Sequence, residues 1–293
     1  DFESVLDKNY FNGSISFRSY GSNTLENTNK LKSNIINNLD YSLNNHISSF
    51  GFENDLNIMF KNLNSLGKNN SDYKSSPQVE LLTMFEANTS LPLIKKGQNY
   101  NNYLTPKLSF RFNPSDMKNY ANNSKIIDTG NIFSLNRLGL NDSFESGRSL
   151  TLGLNYKKEK KDLNDINKYF EFNLATVLRD KEEQFIPKTS TIGRKNSNIF
   201  GSIESNLSKN IDLNYNFALD NDVSTFEYNG LNTTFRFENF ETTFSFIEEN
   251  GEMGDSNIFE NSISYNFENN YIKFNTRRNR KINLTEYYDL VYE

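Results

Sequence analysis

Apolar and polar residues alternate along most of the 293-residue chain. The clearest run places apolar side chains at every second position: Ile211, Leu213, Tyr215, Phe217 and Leu219. A period of two predicts a β-strand with one apolar and one polar face. A tilted strand of about nine residues also crosses a hydrocarbon core. Runs of the same kind recur between residues 10 and 112 and through the last third of the chain, which predicts an all-β fold.

Short and long connections alternate between the predicted strands of the last third. The short turns fall at residues 208–210, 238–239 and 268–270, and the longer connections at 220–225, 248–257 and 276–285. An up-and-down membrane barrel has this arrangement, because its periplasmic turns are tight and its outer loops are longer. A Greek-key sandwich mixes crossovers and gives no such order. We therefore predict an antiparallel up-and-down transmembrane β-barrel, with about 14 strands here as part of a larger barrel.

Composition agrees with an aqueous interior and a lipid-facing exterior. Only 35% of the residues are hydrophobic and the mean hydropathy is −0.73, yet the chain holds 25 Phe and 16 Tyr. A formal charge of −5 gives no indication of nucleic-acid binding. The absence of cysteine excludes disulfides and thiolate metal sites. No run approaches the length of a membrane helix, about 18 apolar residues, so the strands are the predicted membrane-spanning elements.

Residues 131–156 are predicted to form a hairpin with a charged turn. A strand over residues 132–135, a charged turn and a second alternating strand together predict a hairpin. The turn contains Arg137, Asp142, Glu145 and Arg148. In a polar interior these opposite charges would pair and hold the bend. The alternative hypothesis is a polar wall that guides a sugar or receives a loop of a partner.

The same stretch resembles a segment of the LptD family, the lipopolysaccharide-assembly proteins of the outer membrane. The matching residues are Phe133, Ser134, Asn136, Arg137, Asp142, Glu145, Gly147, Arg148, Leu150, Thr151 and Gly153. The upstream run of Leu104, Thr105, Pro106 and Lys107 is similar to the segment that precedes it in the family. Two positions depart from the family pattern: Leu138 stands in place of an aromatic residue, and Gly139 lies two places early.

The resemblance implies a function and a set of partners. It implies an outer-membrane translocon component of Gram-negative bacteria that inserts lipopolysaccharide into the outer leaflet. The sugars would pass through the hydrated interior, and the acyl chains would leave between the first and last strands. It also implies an LptE-like plug lipoprotein and an LptA-like periplasmic bridge as partners, beside membrane lipid. We interpret residues 1–293 as one barrel domain, incomplete at both ends, in which the family's N-terminal periplasmic jelly-roll is not recognisable.

Little in the sequence indicates catalysis. The single histidine, His46, has no nucleophile elbow, so we predict no enzyme activity, no catalytic residue, no cofactor and no metal. Two basic groups are predicted to lie in connections. One contains Lys157, Lys158, Lys160 and Lys161, and the other contains Arg277, Arg278, Arg280 and Lys281. Arg is well shaped for phosphate, so the second group is a candidate for lipopolysaccharide-phosphate contacts, whereas the alternative for both groups is a solvated loop.

Two other functions remain open from the sequence. The first is a passive porin-type diffusion channel, which would need a constricting inward loop and would conduct ions in planar bilayers. The second is a soluble or surface β-adhesion module, which would be extracted into buffer without detergent.

Overall fold

A computed structural model describes residues 1–70, 72–161 and 168–293 and shows one antiparallel sheet of 16 strands. Each strand pairs with the next along the chain, except that β6 and β5 both pair with β7. The strands are β1 (Phe2–Tyr10), β2 (Gly13–Glu26), β3 (Lys30–Ile47), β4 (Glu53–Lys68), β5 (Gln78–Ser90), β6 (Leu93–Lys96), β7 (Tyr100–Asn113), β8 (Gly147–Lys160), β9 (Tyr169–Arg179), β10 (Ile199–Ser208), β11 (Ile211–Leu219), β12 (Phe226–Phe237), β13 (Phe240–Glu249), β14 (Ser256–Asn266), β15 (Tyr271–Asn279) and β16 (Leu284–Tyr292).

The predicted class, an all-β up-and-down sheet, is confirmed. The structure has 16 strands rather than about fourteen, because the prediction allowed about twenty residues for each strand with its connection and several turns are as short as two residues. Within the described ranges, the register does not pair β1 with β16, so the sheet is open along these two edges. No helix in these ranges is long and apolar enough to span a membrane.

The two faces of the sheet have the predicted polarity. On β8, Leu152 is 39% exposed, whereas the neighbouring Thr151 is fully buried. Leu81 on β5 is likewise exposed, and Glu86 on the same strand points to the other face and is buried. A water-soluble sheet covers its apolar face, whereas here the polar face is covered and the apolar face is open. We call the covered polar face the inner face and the apolar face the outer face.

The two longest connections lie at one end of the sheet. Residues 114–146 join β7 to β8, and residues 180–198 join β9 to β10. The tight turns at residues 209–210 and 238–239 lie at the opposite end, since the strands alternate in direction. The predicted alternation of short and long connections is confirmed for the first two pairs of the last third, but in the last pair the connections at residues 267–270 and 280–283 are equally short, with four residues each.

Three local predictions were wrong. Residues 132–135 form turns rather than a strand, because Ile132 is completely buried in a core that loop residues form with the inner faces of β9, β10 and β11. Lys157, Lys158 and Lys160 lie on β8, not in a connection, because that strand extends past its apolar part. Arg277 and Arg278 lie on β15 for the same reason. In barrels, strands continue beyond the hydrocarbon, so polar residues do not mark a strand end as they do in soluble proteins.

Candidate functional site

The two long connections fold onto the inner face and pack against each other. We call residues 114–146 the first inner loop and residues 180–198 the second inner loop. The backbone amide of Tyr120 donates to the carbonyl of Phe185 at 2.8 Å, and that of Lys125 donates to the Thr189 hydroxyl at 2.8 Å. A one-turn 3-10 helix, Lys188–Ser190, lies in the second loop. These bonds join the two loops into one inner layer.

An apolar core fixes this inner layer to the strands. Its buried members are Met117, Ile127, Ile132, Leu138, Leu140, Ala175, Val177, Ile186, Ile192, Phe200, Ala218 and Met253. A second cluster joins Phe144 of the first loop to Leu82 and Met84 of β5. On the β2 side, the Tyr20 hydroxyl donates to the carbonyl of Asn141 at 3.3 Å. At the other side, the Thr129 hydroxyl donates to Ser202 of β10 at 2.9 Å, so the first inner loop contacts strands from β2 to β10 and the sheet curves around it.

Arg137 and Glu145 form the ionic centre of the first inner loop. The guanidinium of Arg137 donates to both carboxylate oxygens of Glu145, at 2.7 and 2.5 Å. It also donates to Thr151 Oγ1 at 2.9 Å and to Ser149 Oγ at 3.1 Å, both on β8. The Arg137 side chain is completely buried. The two inner-face hydroxyls of β8 therefore act as hydrogen-bond acceptors for this arginine.

Strands on either side of β8 supply the remaining charges of the network. Arg179 of β9 contacts Glu145 at 2.5 Å, and Arg111 of β7 lies 3.9 Å from Glu145. Arg111 also pairs with Glu86 of β5 at 2.7 Å. No local sequence pattern indicates that Arg111, Arg179 and Glu86 belong to this network, because only the register of β5, β7, β8 and β9 brings them together.

This network is ionised and shielded from solvent. Burial alone would raise the pKa of the Glu145 carboxyl, but the positive charges of Arg137, Arg179 and Arg111 outweigh burial and hold that pKa well below its usual range. Three arginines face two glutamates, since Glu86 belongs to the same group. Their mutual bonds leave no open position for a ligand at Glu145, so the network fixes the loop to the wall.

The structure divides the predicted charge cluster. Arg137 and Glu145 meet as predicted, but Arg148 lies on β8 and pairs with Asp180 at 2.9 Å near the surface. Asn136 holds the turn before Leu140, since its side chain accepts from the Leu140 amide at 2.9 Å and donates to the Leu140 carbonyl at 2.8 Å. Gly147 starts β8 with a positive φ of 78°, a conformation that glycine tolerates best.

Asp142, the fourth predicted charge, is the centre of a second group. Its carboxylate accepts hydrogen bonds from the hydroxyls of Tyr73, at 2.7 Å, and Tyr120, and it pairs with Lys118 at 3.1 Å. Burial raises its pKa, but these three partners outweigh burial and lower the pKa below its usual value. Burial and the Asp142 bond raise the pKa of both tyrosines, which therefore remain donors. This group ties the first inner loop to the connection before β5.

A polar cavity of about 1180 Å³ lies between the first inner loop and the inner face of β2 and β3. Tyrosine, lysine, asparagine and carboxylate side chains line it, among them Tyr20, Thr24, Lys32, Asn34, Tyr73, Lys118, Tyr120 and Asp142. The cavity exceeds the roughly 300–1,000 Å³ typical of pockets for drug-sized ligands. It offers tyrosine rings, hydrogen-bond donors and acceptors, and both positive and negative charges. These groups suit a hydroxyl-rich ligand with charged substituents.

The predicted phosphate-contact residues lie at the long-connection end, on different faces of the sheet. Arg277 points to the inner face and pairs with Glu260 at 2.9 Å and Glu286 at 2.7 Å. Lys281 pairs with Asp255. Arg278 and Arg280 are exposed. In the described part of the chain, no group of His, Asp and Glu side chains is arranged to hold a metal ion.

A family model described as "LptD: LPS transport system D" matches residues 1–271. The match contains both inner loops, the ionic network and the polar cavity. No curated protein matches the sequence.

Proposed function

Because the chain belongs to the LptD family, we propose that it is the component that inserts lipopolysaccharide into the outer leaflet of the outer membrane. The family acts in lipopolysaccharide transport at the outer membrane. The task is transfer of a whole amphiphile without making or breaking a bond, so it needs no catalytic residue and no cofactor. It needs an apolar exterior, a hydrated interior and a way past the loops at the outer end.

The observation that carries the proposal is the polar cavity beside the first inner loop. Short turns face the periplasm and long connections face outward in outer-membrane barrels, which places the cavity at the outer end. Lys30 and Lys125 line the cavity without an ion pair in the described part of the chain and supply positive charge for phosphate or acidic sugars. Lys32 and Lys118 are paired with Asp72 and Asp142, while Asn34 and the tyrosines supply hydrogen bonds. The sugar portion of lipopolysaccharide would occupy this cavity on its way to the surface.

The inner loops and the ionic network have separate roles in this proposal. The Arg137–Glu145 network, sealed from solvent, would keep the wall on the β7–β9 side fixed during transfer. The group around Asp142 lines the cavity and contains two tyrosine hydroxyls that a sugar hydroxyl can replace. We propose that passage of the sugar loosens this second group and leaves the first intact.

Partners are proposed from the family relationship. An LptE-like lipoprotein would support the barrel from within, and an LptA-like bridge would deliver lipopolysaccharide from the periplasmic side. Co-purification of tagged full-length protein with each candidate from cells tests this part. Recovery of the barrel without either protein, under conditions that keep a reference outer-membrane complex together, would contradict it.

Photo-crosslinking in living cells tests the central proposal. A photoreactive amino acid replaces Thr24, which lines the cavity, and in a second strain replaces Leu104, on the outer face toward the short-turn end. We expect a lipopolysaccharide adduct at Thr24 that disappears when lipopolysaccharide delivery is stopped, and no adduct at Leu104. Absence of an adduct at Thr24 during active delivery would contradict the proposal.

A passive channel is the alternative function. In planar bilayers a porin would conduct steadily, whereas a barrel occupied by its two inner loops should conduct little. Steady ion conductance of the unaltered protein, combined with no adduct at Thr24, would favour the channel.

A further inference from the structure

We propose that Arg278 and Arg280 form a binding site on the outer face for the phosphates of a lipid A-type glycolipid in the outer leaflet. The inference depends on the proposed function for the membrane orientation and the kind of lipid. It concerns the exterior of the sheet, away from the cavity through which the sugars would pass. Its occupant would be a lipid already in the leaflet.

The register of β14 and β15 separates the arginines by face. Arg277 lies opposite Glu260 and pairs with it on the inner face. The next residue, Arg278, therefore points outward, and it lies opposite Phe259. Phe259 in turn continues the apolar outer row through its neighbour Phe246 on β13. Arg278 thus stands on the lipid-facing side, at the long-connection end of its strand.

Arg280 extends the same surface. Its guanidinium carbon lies 5.9 Å from the ring centre of Phe246, within the distance of a cation–π contact. Phe259, Arg278, Arg280 and Asn283 line an open depression of about 550 Å³. Arg278 donates a hydrogen bond to the side-chain oxygen of Asn283, which orients its guanidinium in this depression. Arg280 therefore contacts the ring of Phe246, and Arg278 lies opposite Phe259 on the neighbouring strand.

The charge of the two arginines is not compensated by carboxylates. Within residues 1–70, 72–161 and 168–293, neither arginine forms an ion pair, whereas the adjacent Arg277 and Lys281 both do. Glu248, an outer-face carboxylate on β13, accepts hydrogen bonds from the amides of Asn229 and Asn257 instead. The outer face thus presents net positive charge at this point.

The arrangement fits an anionic lipid better than a free anion. Guanidinium groups bind phosphate through paired, charge-assisted hydrogen bonds. A phosphorylated glycolipid would place its phosphates at Arg278 and Arg280 while its acyl chains descend along Phe259 and Phe246. Inorganic phosphate would reach only the charges and would leave the phenylalanine rings unused. Without a bound lipid, the arginines would simply extend into water from the membrane surface.

Native mass spectrometry of the full chain in detergent tests the site. Diphosphoryl lipid A is titrated against the unaltered protein, the double variant Arg278→Gln/Arg280→Gln, and the control Arg277→Gln, each first shown to keep its heat-resistant gel mobility. We expect the double variant to bind about tenfold more weakly or worse, since two charge-assisted contacts are lost. We expect the control to bind as the unaltered protein does.

Two further measurements distinguish binding of the whole glycolipid from binding of phosphate alone. Monophosphoryl lipid A should bind more weakly than the diphosphoryl form, and millimolar inorganic phosphate should not displace either lipid. Equal binding by the double variant, or full displacement by inorganic phosphate, would overturn the proposal. A Thr24 adduct together with equal binding would reject this site alone. Loss of lipid A binding in the double variant without a Thr24 adduct would reject the transfer function and leave the site standing.

Discussion

Arg137 and Glu145, eight residues apart in the first inner loop, form a two-point ion pair that β8 covers from one side. Arg137 also donates hydrogen bonds to the hydroxyls of Ser149 and Thr151, both on the inner face of that strand, and to the carbonyl of Ile132 at 3.4 Å. Arg179 from β9 completes the contacts of the carboxylate. Arg137 thereby joins the loop to the sheet. Its removal would leave the Glu145 carboxylate buried without its two closest hydrogen bonds to Arg137.

Replacement of Arg137 by alanine should destabilise the protein strongly. Breaking a buried pair by removing one partner costs roughly 3–5 kcal/mol, because the other charge stays buried with less compensation. We expect a large fall in the denaturant midpoint of unfolding in detergent and increased proteolysis within residues 114–146. Unchanged stability and unchanged protease resistance would show that the pair does not hold the loop.

The double variant Arg137→Ala/Glu145→Ala provides the matched control. Because the two residues contact each other directly, their effects should not add, and the double variant should lose less stability than the sum of the single variants. Full additivity in a double-mutant cycle would mean that the two side chains act independently.

The contribution of Glu145 to stability should depend on pH only in acidic solution, below the usual pKa of a carboxyl group. The folded-state pKa of Glu145 is lowered, so its stabilising contribution is fully present above the unfolded pKa, about 4.3, and is lost as the pH falls towards the lower folded-state pKa. Thermal unfolding of the unaltered protein and of Glu145→Gln should therefore differ by a constant amount from pH 7 to about pH 5. The difference should shrink only in more acidic solution. If the difference between the two proteins narrowed above pH 5, the folded-state pKa of Glu145 would be raised instead of lowered.

Gly153 should not tolerate a side chain. A Cβ atom at this inner-face position of β8 would lie 2.5 Å from the ring of Phe133, which packs against the glycine. Gly153→Ala should force the ring and the first inner loop away from β8 and towards the interior, at a cost of roughly 1–3 kcal/mol for an overpacked site. The second-site change Phe133→Leu should recover part of the loss, as measured by the unfolding midpoint. Wild-type stability of Gly153→Ala would contradict the close packing.

The two faces of β11 should respond oppositely to a new charge. Arginine at Leu213, on the outer face, should destabilise insertion by roughly 2–4 kcal/mol if the position faces the middle of the bilayer. Arginine at the adjacent Asn214, on the inner face, should be nearly neutral, because that position is polar and exposed. Refolding into lipid vesicles in increasing urea measures both. Equal losses at the two positions would contradict the assignment of faces.

Sequence periodicity predicted those parts of the fold that depend on neighbouring residues alone. The alternation of β11 and the tight turns at residues 209–210 and 238–239 require only local information, and the structure confirms them. The apolar run at residues 132–135 was misassigned because its side chains enter a core formed with β9 and β10. A short apolar run does not distinguish a strand from a buried loop.

The candidate site was predictable only in part, for a related reason. Arg137 and Glu145 lie close enough in sequence to be paired by inspection. Arg179 belongs to a strand whose distance from Glu145 depends on the pairing register of β8 and β9. The cavity also requires the first inner loop to lie against β2 and β3, and nothing local in those strands indicates that contact.

Alternate side chains of β11 face lipid and an aqueous interior, and this alternation can be measured directly. The chain has no cysteine, so single cysteines can be introduced one at a time from Ile211 to Leu219 and spin-labelled in lipid bilayers. We expect accessibility to oxygen to peak at Ile211, Leu213, Tyr215 and Phe217, and accessibility to a water-soluble nickel reagent to be higher at the positions between them. Accessibility without a period of two, or protection of the apolar positions from both reagents, would contradict this alternation.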